Sequence, residues 1–109
     1  MADYLQIVTV TATQADAQRI AAAVIERRQA ACAQVCGPIE STYRWQGQIE
    51  TAQEWQCAIK TRGEMYAAVE KTIRELHAYE TPEIIATRIE AGSAAYLKWI
   101  DEQVLPEGE

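Results

Sequence analysis

The sequence predicts an α+β domain of the split β-α-β, ferredoxin-like kind, with a long β-hairpin and an extra C-terminal helix. Three observations predict this class. Apolar residues recur with strand or helix spacing in the order strand, helix, strand, strand, helix, strand, helix. The 109 residues suit one domain, which we place at 1–105, followed by a short acidic tail at 106–109. Hydrophobic residues at 49% and charged residues at 24% are ordinary globular values.

The first third of the chain predicts a strand and a helix. Residues 4–10 are rich in Ile, Val and Thr, and their apolar side chains alternate as in a buried strand. Thr13 and Asp16 have the spacing of a capping box, in which the side chains of both residues satisfy free N–H groups at a helix start. A helix over about 14–28 follows, with an apolar stripe on one face.

A long hairpin is predicted next. From 31 to 45 the apolar residues fall mostly on odd positions, with a bend or bulge at Gly37-Pro38. A turn at 46–48 leads into a second strand whose apolar residues, from Trp55 to Ile59, are again odd. The hairpin is longer than a small domain needs, and such exposed edges are normally covered by another chain.

The last part of the chain predicts two more helices and a strand. A second helix runs over about 63–76, with Thr61 and Glu64 as a second capping box. Residues 84–90 form the last core strand. A closing helix begins after Gly92-Ser93.

The charge and the N-terminal sequence limit the partners. Sixteen acidic and ten basic residues give a net charge of -6, which repels nucleic acid and anionic membranes. The N-terminal residues show no basic region followed by an apolar stretch, and the longest apolar run is far too short to span a bilayer. We therefore expect a cytoplasmic protein with no nucleic-acid or membrane partner, for which small cations are more natural ligands.

The three cysteines do not form a known framework. Cys32, Cys36 and Cys57 contain no C-x-x-C spacing, as a zinc ribbon or redox motif would require. In an extended strand Cys32 and Cys36 are too far apart to form a disulfide. We interpret all three as reduced, partly buried thiols; the alternative is a soft-metal role for one of them.

The densest polar cluster surrounds the one histidine, His77. It also contains Tyr79, Glu80, Thr81 and Glu83. An imidazole and carboxylates at this spacing can bind copper or zinc, so we predict His77, Glu80 and Glu83 as candidate metal ligands. In the alternative interpretation, His77 hydrogen-bonds the last carbonyls of the preceding helix and the glutamates are solvated.

Aromatic residues mark the hairpin near its turn. Tyr43, Trp45 and Trp55 share odd positions, which predicts one aromatic face. In a monomer this face would belong to the core. At the end of an overlong hairpin we favour an oligomer interface, where Tyr and Trp are enriched.

These features resemble the CutA divalent-cation-tolerance family. The matching stretches are residues 30–33, 41–50, 59–61, 75–85 and 92–100, in the family's order and over nearly the whole chain. The hairpin and the segment His-x-Tyr-x-Thr-Pro-Glu are the more specific of these. The resemblance implies a ferredoxin-like protomer in a tight homotrimer, similar to PII signal-transduction proteins. It also implies tolerance of divalent cations, copper binding in some members, and no established enzymatic reaction.

The resemblance also implies a polar cleft between subunits. Position by position, its residues here are Lys60, Thr61, His77, Tyr79, Thr81, Pro82 and Glu83. Thr9 stands where copper-binding members carry a cysteine, and Leu76-His77 stands where they carry paired histidines. We therefore expect a non-enzymatic trimer that binds copper, zinc or a small ligand in this cleft. The alternatives are a PII-like signalling or scaffold module that binds an organic ligand, and an uncharacterised enzyme that uses Lys60, His77 and Glu83.

Overall fold

The structure, a computed structural model, describes residues 3–105. Its elements are β1 (Tyr4–Thr11), α1 (Gln14–Glu26), β2 (Cys32–Trp45), β3 (Gln48–Arg62), a short 3₁₀ turn (Gly63–Met65), α2 (Tyr66–Leu76), β4 (Ile85–Arg88) and α3 (Ala94–Gln103). The predicted α+β class and the predicted order of elements are confirmed. The predicted tail at 106–109 lies outside the described residues.

The four strands form one antiparallel sheet in the order β2-β3-β1-β4. Side chains alternate between the two faces of the sheet, so Ile7 on β1 and Ile59 on β3 lie side by side on the same face. Both are fully buried and belong to one hydrophobic core with Ile20 and Val24 of α1 and Ile73 of α2. The two helices therefore cover this face of the sheet.

The helix ends follow the predicted capping only in part. Thr13 Oγ1 accepts a 3.1 Å hydrogen bond from the Asp16 N–H, as predicted. The helix α1 stops at Glu26, two residues early, because Arg28 takes a left-handed backbone with φ 57°. The predicted second capping box is wrong. Thr61 donates its hydroxyl hydrogen to the Gln29 carbonyl at 2.6 Å, and the 3₁₀ turn that follows has no side-chain cap.

The last strand lies at the edge of the sheet. The predicted core strand at 84–90 is reduced to Ile85–Arg88, which pairs with β1 on one side only. All four of its residues are exposed, so its expected place in the core is wrong. Within residues 3–105, β1 is the only strand beside β4, so among these residues the backbone groups on the outer side of β4 are unpaired.

The closing helix α3 is fixed to the rest of the domain through its C-terminal half. Ile100 is fully buried, and the Asp101 carboxylate accepts hydrogen bonds from Tyr4 at 2.9 Å and from Arg62 at 2.6 Å. Arg28 donates to the carbonyl oxygens of Gln103 and Glu102, both at 3.1 Å. These contacts satisfy free carbonyls at the end of α3. Within residues 3–105, no helix is both long and apolar enough to cross a membrane.

A bulge divides the hairpin into two parts. Val35 pairs with Cys57, but the register shifts between Cys36 and Ile39, so that Ile39 pairs with Glu54. The odd residues of β2 lie beside odd residues of β3 before the bulge and beside even residues after it. The outer part extends to a two-residue turn at Gln46 and Gly47, both with positive φ, as hairpin turns of this length favour.

The bulge corrects the predicted aromatic face. Beyond it, Tyr43 pairs with Glu50 and Trp45 pairs with Gln48, so both rings lie on the face of Glu54. Trp55 is one residue further along β3 and points to the opposite face, where it packs partly against the core. The expectation that all three aromatic residues share one face is therefore wrong.

Candidate functional site

A histidine side chain joins the loop after α2 to the end of β1. His77 follows the last residue of α2, and its Nε2 lies 2.8 Å from the Val10 carbonyl oxygen. Its Nδ1 accepts a 3.1 Å hydrogen bond from the Tyr79 N–H. Because Nδ1 is an acceptor, the ring hydrogen sits on Nε2 and is donated to Val10. The alternative interpretation expected the His77 ring to bond the last carbonyls of α2. The ring instead bonds the Val10 carbonyl of β1.

The next aromatic residue of this loop binds a buried carboxylate. The Tyr79 hydroxyl donates a 2.7 Å hydrogen bond to Oε2 of Glu54, which is only 5% exposed. Burial and this hydrogen bond raise the pKa of the Tyr79 hydroxyl. Tyr79 therefore keeps its proton and acts as a donor at neutral pH. The rings of His77 and Tyr79 lie 4.9 Å apart, which fixes the loop further.

Between this loop and the outer hairpin lies a cavity of about 660 Å³, which we call the hairpin groove. The residues that line it are Val10, Ser41, Thr42, Tyr43, Trp45, Glu54, Tyr79, Thr81 and Glu83. Two of them are carboxylates, three are aromatic, and none of these described residues is Lys, Arg or His. The groove therefore combines negative charge with aromatic surface.

The predicted cleft residues lie in two separate places in the structure. Tyr79, Thr81 and Glu83 line the groove, and His77 lies behind Tyr79. Two others lie on the inner half of the sheet and are not among the groove residues. The Thr61 hydroxyl is fully buried, and the Lys60 ammonium donates a hydrogen bond to Oε1 of Gln34 at 2.5 Å.

The metal ligands predicted from the sequence do not form a complete site in one chain. Among residues 3–105, no group of three or more His, Cys, Asp or Glu side chains is arranged to hold a metal ion. Glu80 is exposed and Pro82 is half-buried, and neither lines the groove. Coordination by His77 would also require one ring nitrogen to leave its hydrogen bond. The set of His77, Glu80 and Glu83 stays a prediction that ligands from another chain would have to complete.

Thr9, where the sequence resemblance implies a cysteine in other family members, lies in the core. Thr9 is fully buried on the face covered by the helices, and its hydroxyl has no hydrogen-bond partner among the described residues. Val10, the next residue, lines the groove on the other face. Thr9 therefore does not contribute to the groove.

The three thiols are free and differ in access. Cys36 is exposed, Cys32 is half-buried, and Cys57 is fully buried beside Thr9 in the sheet. Burial raises the pKa of the Cys57 thiol to about 11, so it stays protonated at neutral pH. A protonated thiol is a poor metal ligand, which leaves Cys57 a packing role.

Sequence reasoning missed Glu54, the buried acid of the groove. It lies on the even, mostly polar side of β3, where the pattern predicts solvation. The signal that could have identified it is Gly37-Pro38, because a bulge there sets Ile39 opposite Glu54. The burial of Glu54 can be predicted only when the shifted pairing of β2 with β3 beyond the bulge is known.

The fold and this loop recur in known proteins. The family model described as CutA1 divalent ion tolerance protein matches residues 5–103. "Protein CutA" of Mus musculus is 40% identical over 86 residues, which are 79% of this chain and 49% of the mouse protein, so the chain spans about half of that relative.

Solved structures match over nearly the whole chain, two CutA proteins among them. CutA from Xylella fastidiosa superposes with a TM-score of 0.92 at 36% identity, covering 95% of this chain and 100% of that one. A protein of Archaeoglobus fulgidus, called a periplasmic divalent cation tolerance protein CutA, gives 0.90 at 38% identity, covering 94% and 99%. The range matched by the family model, residues 5–103, includes the hairpin and the loop that line the groove.

Proposed function

The chain belongs to the CutA1 divalent ion tolerance family, and on this basis we propose that it acts in tolerance of divalent metal ions through a cation or small ligand bound in the hairpin groove. The observation that carries the proposal is the charge of the groove. Glu54 and Glu83 face a cavity whose described lining has no basic residue. Such a cavity attracts positive charge.

We further propose that three ferredoxin-like protomers form a homotrimer and that the groove lies between subunits, as the family resemblance implies. The strand order, with α1 and α2 connecting the strands, supports the ferredoxin-like description. The outer hairpin exposes Tyr43 to 42%, Trp45 to 51% and Ile49 to 68%. A concentration of large apolar side chains at one end of the molecule favours burial against another copy.

Copper and zinc are the proposed ions, with His77, Glu80 and Glu83 as candidate ligands. Calorimetric titration with Cu(II) and with Zn(II) tests them in the wild type, His77→Ala and Glu54→Gln, with Glu90→Gln as a control acid outside the groove. If the ion binds at His77, its affinity should fall at least tenfold in His77→Ala and stay unchanged in Glu54→Gln. If the ion binds in the groove, its affinity should fall in Glu54→Gln instead. Equal affinities in all four proteins would contradict both sites.

A second candidate function is a PII-like signalling or scaffold module with an organic ligand. The observation that favours it is the aromatic lining of Tyr43, Trp45 and Tyr79, which suits an organic molecule better than a bare ion. Native mass spectrometry of the purified protein separates the two functions. A retained organic molecule supports signalling, and a metal at one ion per chain supports the first function.

We propose a binding role rather than a catalytic one. Both ring nitrogens of His77 are held by backbone groups, so proton transfer by the one imidazole of the chain, like metal coordination by it, would first require one of these hydrogen bonds to break. The uncharacterised enzyme remains as an alternative, tested by assay against a broad substrate panel.

The proposed location is the cytoplasm. The three free thiols favour a reducing compartment. Cell fractionation tests this location, and recovery of the protein from the periplasm, as the name of the Archaeoglobus relative implies for that protein, would contradict it.

A further inference from the structure

The hairpin groove contains a carboxylate that is buried but incompletely paired. Glu54 is 5% exposed and accepts a hydrogen bond from the neutral Tyr79 hydroxyl. Among residues 3–105, no Lys or Arg lies within ion-pair distance of it. The Tyr79 hydroxyl engages Oε2 alone, and Oε1 is not among the buried atoms without a partner, so it is open to the groove and can accept hydrogen bonds from a cationic ligand there.

The side chains around Glu54 indicate which kind of cation would fit beside its carboxylate. Tyr43, Trp45 and Tyr79 line the same cavity, and the second carboxylate, Glu83, lies on its exposed side. A cavity of about 660 Å³ has the size of sites that hold organic molecules. No group of three metal-ligand side chains comes together among the described residues, so a bare divalent ion finds an incomplete coordination sphere here.

From these features we infer that the hairpin groove binds a guanidinium group, with Glu54 and Glu83 accepting its N–H hydrogens while its plane packs on the aromatic side chains. A guanidinium is planar and weakly hydrated, stacks on aromatic rings, and carries five N–H donors in a fork that matches carboxylates. A guanidinium can therefore bond to the carboxylates and stack on the aromatic rings of the groove at the same time. An ammonium or a metal ion makes the second contact less well. The inference rests on the proposed function of the groove as the ligand site and adds the chemical class of the ligand.

Two sources could supply this group. One is a free small molecule, and the other is Arg44 of a second copy of the chain. Arg44 lies on the exposed outer hairpin and makes no ion pair within residues 3–105. The chemistry is shared, so the experiment must distinguish the sources.

Isothermal titration calorimetry of the full-length protein with n-butylguanidinium and with its uncharged isostere N-butylurea tests the inference. The proteins are the wild type, Arg44→Ala, Glu54→Gln and Glu83→Gln, with Glu90→Gln as the control. We expect n-butylguanidinium to bind at least tenfold more tightly than N-butylurea. We expect Glu54→Gln and Glu83→Gln each to weaken it at least fivefold, and Glu90→Gln to change it less than twofold. Glu83 is exposed, so its variant still tests the inference if Glu54→Gln fails to fold.

The Arg44→Ala protein identifies the source. Binding by the wild type assigns the groove to a small molecule, whereas binding only by Arg44→Ala shows that Arg44 of a second copy occupies it. If only Arg44→Ala binds, the Glu54→Gln and Glu83→Gln substitutions are repeated in that protein. Equal affinity for N-butylurea, unchanged affinity after both groove substitutions in the protein that binds, or no binding by either the wild type or Arg44→Ala overturns the inference. Tight Cu(II) or Zn(II) binding without n-butylguanidinium binding would overturn it while leaving the proposed metal function in place.

Discussion

The Tyr79 hydroxyl donates a 2.7 Å hydrogen bond to Oε2 of Glu54, joining the loop after α2 to the β3 arm of the hairpin. His77 ties the same loop to β1 through Val10. The groove thus has a wall that is held at two points, one on each of two neighbouring strands. A ligand entering the groove meets a shape fixed in advance, which reduces the entropy lost on binding.

Removing the Tyr79 hydroxyl should destabilise the protein. The variant Tyr79→Phe leaves the buried Glu54 carboxylate without this donor, and we expect the free energy of unfolding to fall by about 1–3 kcal/mol. Urea unfolding at a fixed protein concentration measures it. The matched control is Tyr43→Phe, an exposed tyrosine of the same groove, for which a change within about 0.5 kcal/mol is expected. Equal losses in both variants would contradict a special role for the Tyr79–Glu54 bond.

The tautomer of His77 is open to direct measurement. The geometry requires that the neutral ring carries its hydrogen on Nε2, because Nδ1 accepts from the Tyr79 N–H. Long-range ¹H–¹⁵N correlation spectra should show this tautomer, and the assignment is unambiguous because the chain has one histidine. A ring protonated on Nδ1 would show that the loop is not held to β1 as described.

The close approach of the bulge to Trp55 predicts a coupled pair of substitutions. A Cβ at Gly37 would lie 2.5 Å from Cδ1 of Trp55, so Gly37→Ala should cost about 1–3 kcal/mol of stability through overpacking. The cost should shrink when Trp55 is replaced by Leu, because the smaller side chain gives way. The free energies of unfolding of the wild type, the two single variants and the double variant, measured by chemical denaturation, form a double-mutant cycle. Additive effects would mean that the contact does not limit position 37.

The thiols should differ in reactivity and in their effect on alkaline stability. At pH 8 a thiol reagent should label Cys36 within minutes and Cys57 only as the chain unfolds, since Cys36 is exposed and Cys57 buried. The raised pKa of Cys57 favours the protonated thiol in the folded state. Its contribution to stability is therefore complete below its ordinary pKa of 9 and is lost as the pH rises toward about 11.

The control for this pH dependence is Cys57→Ala, which removes the titrating group. Its stability should fall less between pH 9 and pH 11 than that of the wild type. Identical slopes for the two proteins, or rapid labelling of Cys57 in the folded state, would show that Cys57 is not buried as described.

Local patterns in the sequence predicted much of the fold. The order of helices and strands follows from apolar spacing, and the Thr13 cap from a short motif. The failed cap at Thr61 shows the limit, because its hydroxyl is taken by the Gln29 carbonyl, which is distant along the chain. Such competition arises only once the loop after α1 has packed against the end of β3.

The candidate site was harder to predict for a related reason. Tyr79, Thr81 and Glu83 were identified from the loop motif, but Glu54 was not, and Trp55 was assigned to the wrong face. Both errors arise from the shift in register at the bulge, which moves the outer part of β2 by one residue relative to β3. A change of one residue reverses every side chain beyond it, and alternation in the sequence does not reveal which strand has shifted.

The central claim is that the exposed end of the hairpin is an interface between chains, so that the groove belongs to an assembly. Sedimentation equilibrium at micromolar concentration tests it most directly. We expect a species of three times the 12.2 kDa chain mass, reduced in size by Trp45→Asp because a charge there would be buried without a partner. A wild-type protein that sediments as a 12.2 kDa monomer would contradict the claim.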